Sequence, residues 1–251
     1  MEHWVEYPPN PSELTLAWRA PDGVLDRMRW AVGVLSNVGP TATFRYLRNG
    51  EFKAENRGKN LAQLTASGFR GYPTFDAGRS KDGIFAEGVL EAFLRRMPPA
   101  ARPDFPKYLE LYRYRGIPLA PMSLLALTTA KLPSDGFSLV DRLDPQSVAC
   151  DTVLEIAGFR YRETETAFLR DGVELQLIPE PTNPYDSSAV KMEASGVTIG
   201  YVNRLQTRSV AMWLKTRVVS CWLLRRSGRG HSPLAFAFMR MRSNENLPMT
   251  S

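Results

Sequence analysis

Histidine and cysteine are nearly missing from this chain, with two of each in 251 residues. Cys150 and Cys221 stand far apart in apolar surroundings, which predicts buried free thiols in a reducing compartment rather than a disulfide framework. His3 and His231 lie in a proline-rich N-terminal stretch and in a Ser-Gly-Arg-Gly loop. No Cys/His spacing therefore resembles a zinc site, and neither a Ser-His-Asp nor a Cys-His arrangement is expected. Neither GxxxxGK[ST] nor GxGxxG occurs, so the phosphate-loop and dinucleotide fingerprints are absent. No apolar run approaches the roughly 18 residues of a membrane helix, and MEHWVEYPPNP lacks the charged-then-apolar order of a secretory signal; the chain reads as cytoplasmic. Glu163/Glu165 and Asp171/Glu174 sit in polar, turn-like segments that suit solvated surface, and Asp186 has no acidic neighbour with which to share a metal. These absences predict a chain without catalytic activity, cofactor or metal.

Acid is what the C-terminal stretch lacks. From Gly196 onward there is one carboxylate, Glu245, against nine basic residues, a net +8, while everything before it carries a net −2. Such asymmetry favours a polyanionic partner. Arginine outnumbers lysine 25 to 7, which favours planar, bidentate phosphate contacts. Otherwise the composition is ordinary for a globular protein, with 43% hydrophobic and 23% charged residues, and the length accommodates two modest domains.

The first part predicts an α+β domain over residues 1–145. Residues 1–12 read as extended and 18–38 as mixed apolar and charged, closed by Gly39-Pro40. Residues 41–47 alternate as a strand, and Asn49-Gly50 favours a type I′ turn with a hairpin returning through 51–55. Leu61, Ala62 and Leu64 fit a short helix ended by Gly68. Tyr72-Pro73 and Gly78 mark an irregular segment. Residues 86–97 carry Val89, Leu90, Phe93, Leu94 and Met97 at helical spacing before Pro98-Pro99, with Arg95 and Arg96 placed to complement the helix dipole. Further helices are expected over 105–113, with Asp104 as cap, and after Pro121. A turn at 134–136 and a strand at 137–140 follow.

From residue 150 the pattern changes to short strands at 153–157, 173–178, 189–192, 197–202, 218–224 and 234–241. One helix at 205–214 interrupts them, and a basic loop, Ser227-Gly228-Arg229-Gly230-His231, precedes the last strand. Short strands around one helix suit a small OB-like β-barrel, with Trp213 and Trp222 as packing residues. Within it, Asn183-Pro184-Tyr185-Asp186 combines an amide, an aromatic ring and a carboxylate in one turn, and Gly200-Tyr201 and Arg204 follow. The tyrosine can stack on a base, the polar groups can bond a sugar or base edge, and arginine can hold a phosphate. The same four residues also read as a plain Pro-Asx β-turn.

Residues 151–243 resemble the HIRAN domain through Gly158-Phe159-Arg160-Tyr161, then Pro181, Asn183-Pro184-Tyr185-Asp186 and Ala189-Val190, then Gly200-Tyr201-Val202-Asn203-Arg204. This sets the domain limits at 150–243, with 244–251 as a tail. In fork-remodelling ATPases this module is an OB-like barrel that binds single-stranded DNA and captures a free 3′ end. The resemblance implies nucleic-acid contacts at Arg160, Tyr161, Asn183, Tyr185, Asp186 and Arg204. Tyr161 and Tyr185 would stack on terminal bases, Asp186 would accept the 3′-hydroxyl proton and Arg204 would hold a phosphate. One departure is Ser188, where the family often has asparagine. The implied partner is single-stranded DNA, with RNA as the other single strand of the same chemistry.

The first part resembles the N-terminal subdomain of HipA-type kinases in Phe44-Arg45-Tyr46 and in VLEAFLRRMPPAAR at 89–102, with Leu124-Leu125 and Asp135-Gly136 where that family closes its subdomain. No catalytic-loop Asp with a metal-binding Asn is present. This likeness implies a second role, an antitoxin-like regulator that docks on a HipA-type kinase.

Overall fold

The computed structural model describes residues 2–21, 23–24, 28–39, 41–76, 82–132, 134–227 and 234–243. Pro40, Gly78, residues 228–231 of the basic loop and the 244–251 tail with Glu245 lie outside the described residues. The chain divides into two compact units: Asn10–Tyr108 with Pro118–Asp141, and Met1–Pro9 with Leu109–Ile117 and Arg142–Ser251.

The first unit is built on an antiparallel sheet in the order β4-β3-β2-β1-β5, from β1 (Glu13–Arg19), β2 (Arg29–Ser36), β3 (Thr43–Tyr46), β4 (Ile84–Phe85) and β5 (Phe137–Val140). The β1–β2 hairpin went unread in the sequence because both strands are buried on both faces: Leu14 through Trp18 and Trp30 through Val32 are all inside. Without polar alternation such strands carry no period-two signal.

The Asn49-Gly50 hairpin is not formed. Those residues open a helix, α1 (Asn49–Glu55). The Glu51 carboxylate accepts from the Arg48 N–H at 3.0 Å and pairs with Arg45 at 2.7 Å. Phe52 is buried against Trp30, with ring centroids 5.9 Å apart, and the Asn56 side chain bonds the Ala31 backbone in both directions at 2.9 Å. These tertiary anchors outweigh a dipeptide preference.

α2 (Leu61–Ala66) is capped by Asn60, whose oxygen accepts from the Gln63 N–H. The helix expected over 86–97 shortens to α3 (Val89–Leu94). Gly88 before it is left-handed, and the turn after it is tightened by Arg96 N–H to Phe93 and Met97 N–H to Leu94 bonds. α4 (Phe105–Glu110) and α5 (Pro121–Thr128) complete the helices that precede residue 142.

Arg96 does not serve a helix dipole in solvent. Its guanidinium is buried, bidentate to Asp135 at 2.7 and 3.0 Å, and also donates to the carbonyls of Ala130 and Phe137. Around it the core is aromatic: Phe44 packs on Phe93 and Phe75, and Tyr72 meets Phe137 edge-on at 5.1 Å.

The second unit contains β6 (Ala149–Glu155), β7 (Gln176–Pro179), β8 (Val190–Ala194), β9 (Val197–Tyr201), α6 (Thr207–Thr216), β10 (Arg217–Ser227) and β11 (Leu234–Ser243). The predicted strands and helix are all present, but they do not close into a barrel. They make two antiparallel three-stranded sheets, β10-β11-β6 and β7-β8-β9. Among the described residues the sheets are joined by isolated pairs, Ala157 with Tyr201 and Glu174 with Trp222. Pairing cannot propagate because the chain leaves at the left-handed Gly158 on one side and β10 bulges between Leu223 and Arg225 on the other. The inner faces bury Leu154, Met192, Ile199, Cys221 and Met239 under α6, which contributes Val210 and Trp213.

The outward face of β10-β11-β6 is covered by residues 3–7 rather than by water. Asp151 is fully buried there. Its carboxylate takes Arg242 in a two-pronged grip at 2.7 and 3.0 Å, Arg240 Nε at 3.3 Å, and the N–H groups of Glu6 and Tyr7 at 2.8 and 3.3 Å. His3, in the stretch read as extended, lies against Trp222 with ring centroids 3.9 Å apart. Burial and the nearby Arg240 and Arg113 charges hold its pKa below the usual imidazole value. Trp4 lies between the guanidiniums of Arg113 and Arg115, at 4.1 and 3.8 Å from its ring.

Candidate nucleic-acid interface

Three segments carry the sequence-predicted residues, and short backbone links bring all three to one end of β9. The first is the loop after β6. Gly158 turns the chain at φ 80°, and a single 3-10 turn follows at Phe159–Tyr161. Phe159 is buried in the core and anchors the turn. Tyr161 is turned outward, 71% exposed. The Arg160 guanidinium lies over the Tyr161 ring at 4.4 Å and also donates to its phenol oxygen. The pair presents a flat π face backed by a cation.

The second segment is the turn between β7 and β8. Asn183 Oδ1 accepts from the N–H groups of Tyr185 and Asp186 at 3.0 and 3.3 Å, and its Nδ2 donates to Glu180 at 3.0 Å. The amide thus builds the turn, as asparagine does in Asx turns. Asp186 Oδ1 accepts from the Ser188 N–H at 2.9 Å, so this carboxylate too has a scaffolding bond. Tyr185 is the most exposed of the tyrosines singled out, at 79%. Proline before it and the Asx bonds on either side fix the backbone that holds the ring out.

The third segment is the exit from β9. Gly200 has φ 151°, and a β-carbon there would lie 2.5 Å from both the Ala157 carbonyl oxygen and Ile156 Cγ2. Glycine is therefore what lets Ala157 and Tyr201 exchange two backbone bonds of 2.8 and 2.9 Å. Asn203 then turns the chain, its carbonyl taking the N–H groups of Gln206 and Thr207 and its side chain that of Leu205. Arg204 rides on this turn, half-buried.

The links follow from these bonds. The Ala157–Tyr201 pair sets the Arg160/Tyr161 turn beside the end of β9. The Val202 N–H donates to the Val190 carbonyl at 2.9 Å, and Thr207 Oγ1 donates to the Ser188 carbonyl at 2.6 Å; both tie the Asn183–Asp186 turn to the same place.

Sequence reasoning passed over Glu180. It holds the Asn183 amide, faces Lys191 Nζ at 3.8 Å and bonds the Tyr201 phenol, whose pKa is pushed up by burial first and by this carboxylate second. Lys191 is drawn mainly to Glu193, at 3.1 Å, which raises its pKa. An acid directly before Pro181, facing an alternating Lys-Met-Glu strand, was the available signal.

The basic stretch proves mostly inward-looking. Arg226 donates to the carbonyls of Thr166, Ala167 and Leu169, Arg217 to that of Ser147, and Arg240 and Arg242 hold Asp151. Arg225 lies over Phe236 at 4.7 Å. The net charge of this stretch therefore overstates what it offers to a polyanion. Arg208 and Lys215 are exposed.

Residues 150–244 match the family model of the HIRAN domain. Two solved structures are similar to the chain. One is the HIRAN domain of human HLTF, at 18% identity and a TM-score of 0.31, covering 38% of this chain and 78% of that one. The other is a protein from Lactobacillus plantarum, at 22% identity and a TM-score of 0.31, covering 37% of this chain and 94% of that one. No curated protein matches the chain. The likeness of the first 145 residues to the HipA subdomain finds no support in these comparisons, and with it goes the basis for a HipA-type kinase partner. No helix among the described residues is long and apolar enough to cross a membrane.

Proposed function

We propose that this protein is a non-catalytic nucleic-acid-binding protein that takes single-stranded DNA, at a free 3′ end, on the surface formed by the Arg160/Tyr161, Asn183–Asp186 and Arg204 segments. The match of residues 150–244 to the HIRAN domain supports nucleic-acid binding. The observation that carries the finer reading is the convergence of the three segments on the end of β9, with two exposed tyrosine rings among them. In that arrangement Tyr161 and Tyr185 serve as stacking platforms, Arg204 neutralises a phosphate, and Asp186, held by Ser188, accepts the terminal hydroxyl proton.

Fluorescence anisotropy with labelled single strands tests this, comparing a free 3′ end with a 3′-phosphate. A 3′-phosphate adds negative charge next to Asp186 and removes the hydroxyl donor, so the free end binds more tightly. Tyr185→Ala weakens binding by about 1–3 kcal/mol, the range for one lost base stack. Arg204→Ala lowers the salt slope by about 0.7. Wild-type affinity in both variants would refute the reading, and equal affinity for the two ends would remove its end-recognition part.

A further inference from the structure

We infer that α6 extends this site: Arg204, Arg208 and Lys215 form a cationic stripe along its outward face that tracks the sugar–phosphate backbone leading away from the bound nucleotides. The inference rests on the nucleic-acid reading above and adds a path for the rest of the strand.

Residues four and seven apart share a helix face. Val210 and Trp213 are fully buried on the opposite side, while Arg208 and Lys215 are exposed. At 1.5 Å per residue the latter two stand about 10 Å apart along the axis. Arg204 comes one turn before Arg208, on the Asn203 turn that leads into the helix. Met212, 39% exposed, lies between the charges and offers an apolar step for a sugar or base face.

Solvated helix faces ordinarily mix signs, with acids three or four residues from bases. Here no acid occurs between Gly196 and Ser243, so neither cation has a carboxylate neighbour on its own helix. The five arginines of β10 and β11 are held by the protein's own carbonyls, Asp151 or an aromatic ring, whereas Arg208 and Lys215 on α6 are exposed. The helix is also fixed relative to the end site. Its first turn is fastened to the Ser188 carbonyl by Thr207 and to that of Leu143 by Ser209, at 2.6 and 2.7 Å. Gln206 gives no side-chain cap to the N-terminus, so the positive end of the dipole adds to the same field beside Arg208.

The test uses the full chain, an Arg208→Ala/Lys215→Ala double variant, and DNA single strands of about 4 and about 16 nucleotides, spanning the range of such sites. Each lost phosphate contact lowers the salt slope by about 0.7 for a single strand. The double variant therefore loses about 1.4 in slope on the long strand, binds the short one as wild type does, and keeps its preference for a free 3′ end. Arg208→Lys, which retains the charge, keeps the slope. An unchanged slope on the long strand, or equal weakening on both lengths, overturns the track. The two ideas separate on Tyr185→Ala: if that variant weakens both strands and the double variant neither, the end site stands and the track falls. If Tyr185→Ala has no effect, the underlying reading falls with it.

Discussion

Asp151 is the charge on which the outward face of the second unit turns, and its replacement gives the sharpest energetic test of the structure. Asp151→Asn preserves shape and removes the negative charge that two guanidiniums and two backbone N–H groups share. The side chain is completely buried, whereas Arg240 and Arg242 keep 23% and 14% of their side-chain exposure. Removing one member of a buried, hydrogen-bonded pair costs about 3–5 kcal/mol because the partner charge is left uncompensated. Glu6 returns part of this, since it meets Arg240 at 3.0 Å and Arg242 at 3.4 Å. It is 58% exposed, however, so its share is about 0–1 kcal/mol. The net loss for Asp151→Asn is therefore about 3 kcal/mol, against under about 1 kcal/mol for Glu6→Gln. Urea unfolding followed by tryptophan emission measures both, because Trp4 and Trp222 sit on this face. With a slope of about 1–3 kcal/mol per molar, the midpoint falls by roughly 1–3 M. A midpoint shift for Asp151→Asn no larger than that for Glu6→Gln would show that the carboxylate does not organise this face.

Three further outcomes follow from the geometry. Gly200→Ala sets a β-carbon against the Ala157 oxygen and costs about 2 kcal/mol or more, and an unchanged thermal midpoint would contradict the close approach. The Arg45 guanidinium and the Arg48 N–H hold the Glu51 carboxyl down from 4.5 to about 2. A depressed carboxyl stabilises the fold above its unfolded value and loses that contribution as pH falls from about 4.5 toward 2. The stability gap between wild type and Glu51→Gln, under about 1 kcal/mol for so exposed a pair, closes across that window; a gap that widens there would reverse the sign. Burial pushes the Cys221 thiol up to about 12, so at pH 8 the native protein leaves it unmodified by a thiolate-seeking reagent and urea exposes it. Rapid labelling of Cys221 in the native state would contradict its placement.

What could be read in the sequence was local. The strands of the second unit read as β-branched or alternating runs between turn formers, and α6 carried Val210 and Trp213 at helical spacing, so their existence was legible. β5 was legible too, framed by Ser134-Asp135-Gly136. What escaped was set by partners distant in the chain. Asn49-Gly50 has a strong hairpin preference, and only the burial of Phe52 on Trp30 and the Asn56–Ala31 bonds make the segment helical. Arg96, read as complementing a helix dipole, is buried because Asp135, 39 residues away, meets it in the core. At the candidate site, the residue types were legible, and Tyr161 and Tyr185 are exposed. That Asn183 is consumed in building the turn, and that Glu180 faces Lys191 and Tyr201, depends on partners that only the folded chain brings together. Net charge misled most, because composition counts arginines without saying which carbonyls they already hold.

The strap formed by residues 3–7 has a consequence for how the molecule comes into being. Glu6 meets Arg240, 234 positions further along the chain, so during translation the strap emerges long before the strands it covers. At roughly 5–20 residues per second, it waits on the order of 10–50 s, with His3 still lacking Trp222 to pack on. The unit that holds Trp30 and Phe44 can finish folding in that interval, whereas the other must gather segments from residues 3–7 and 234–243. The order of assembly is thus opposite to the order of synthesis for those few residues, and a strand made more than 200 residues later is the one that secures them.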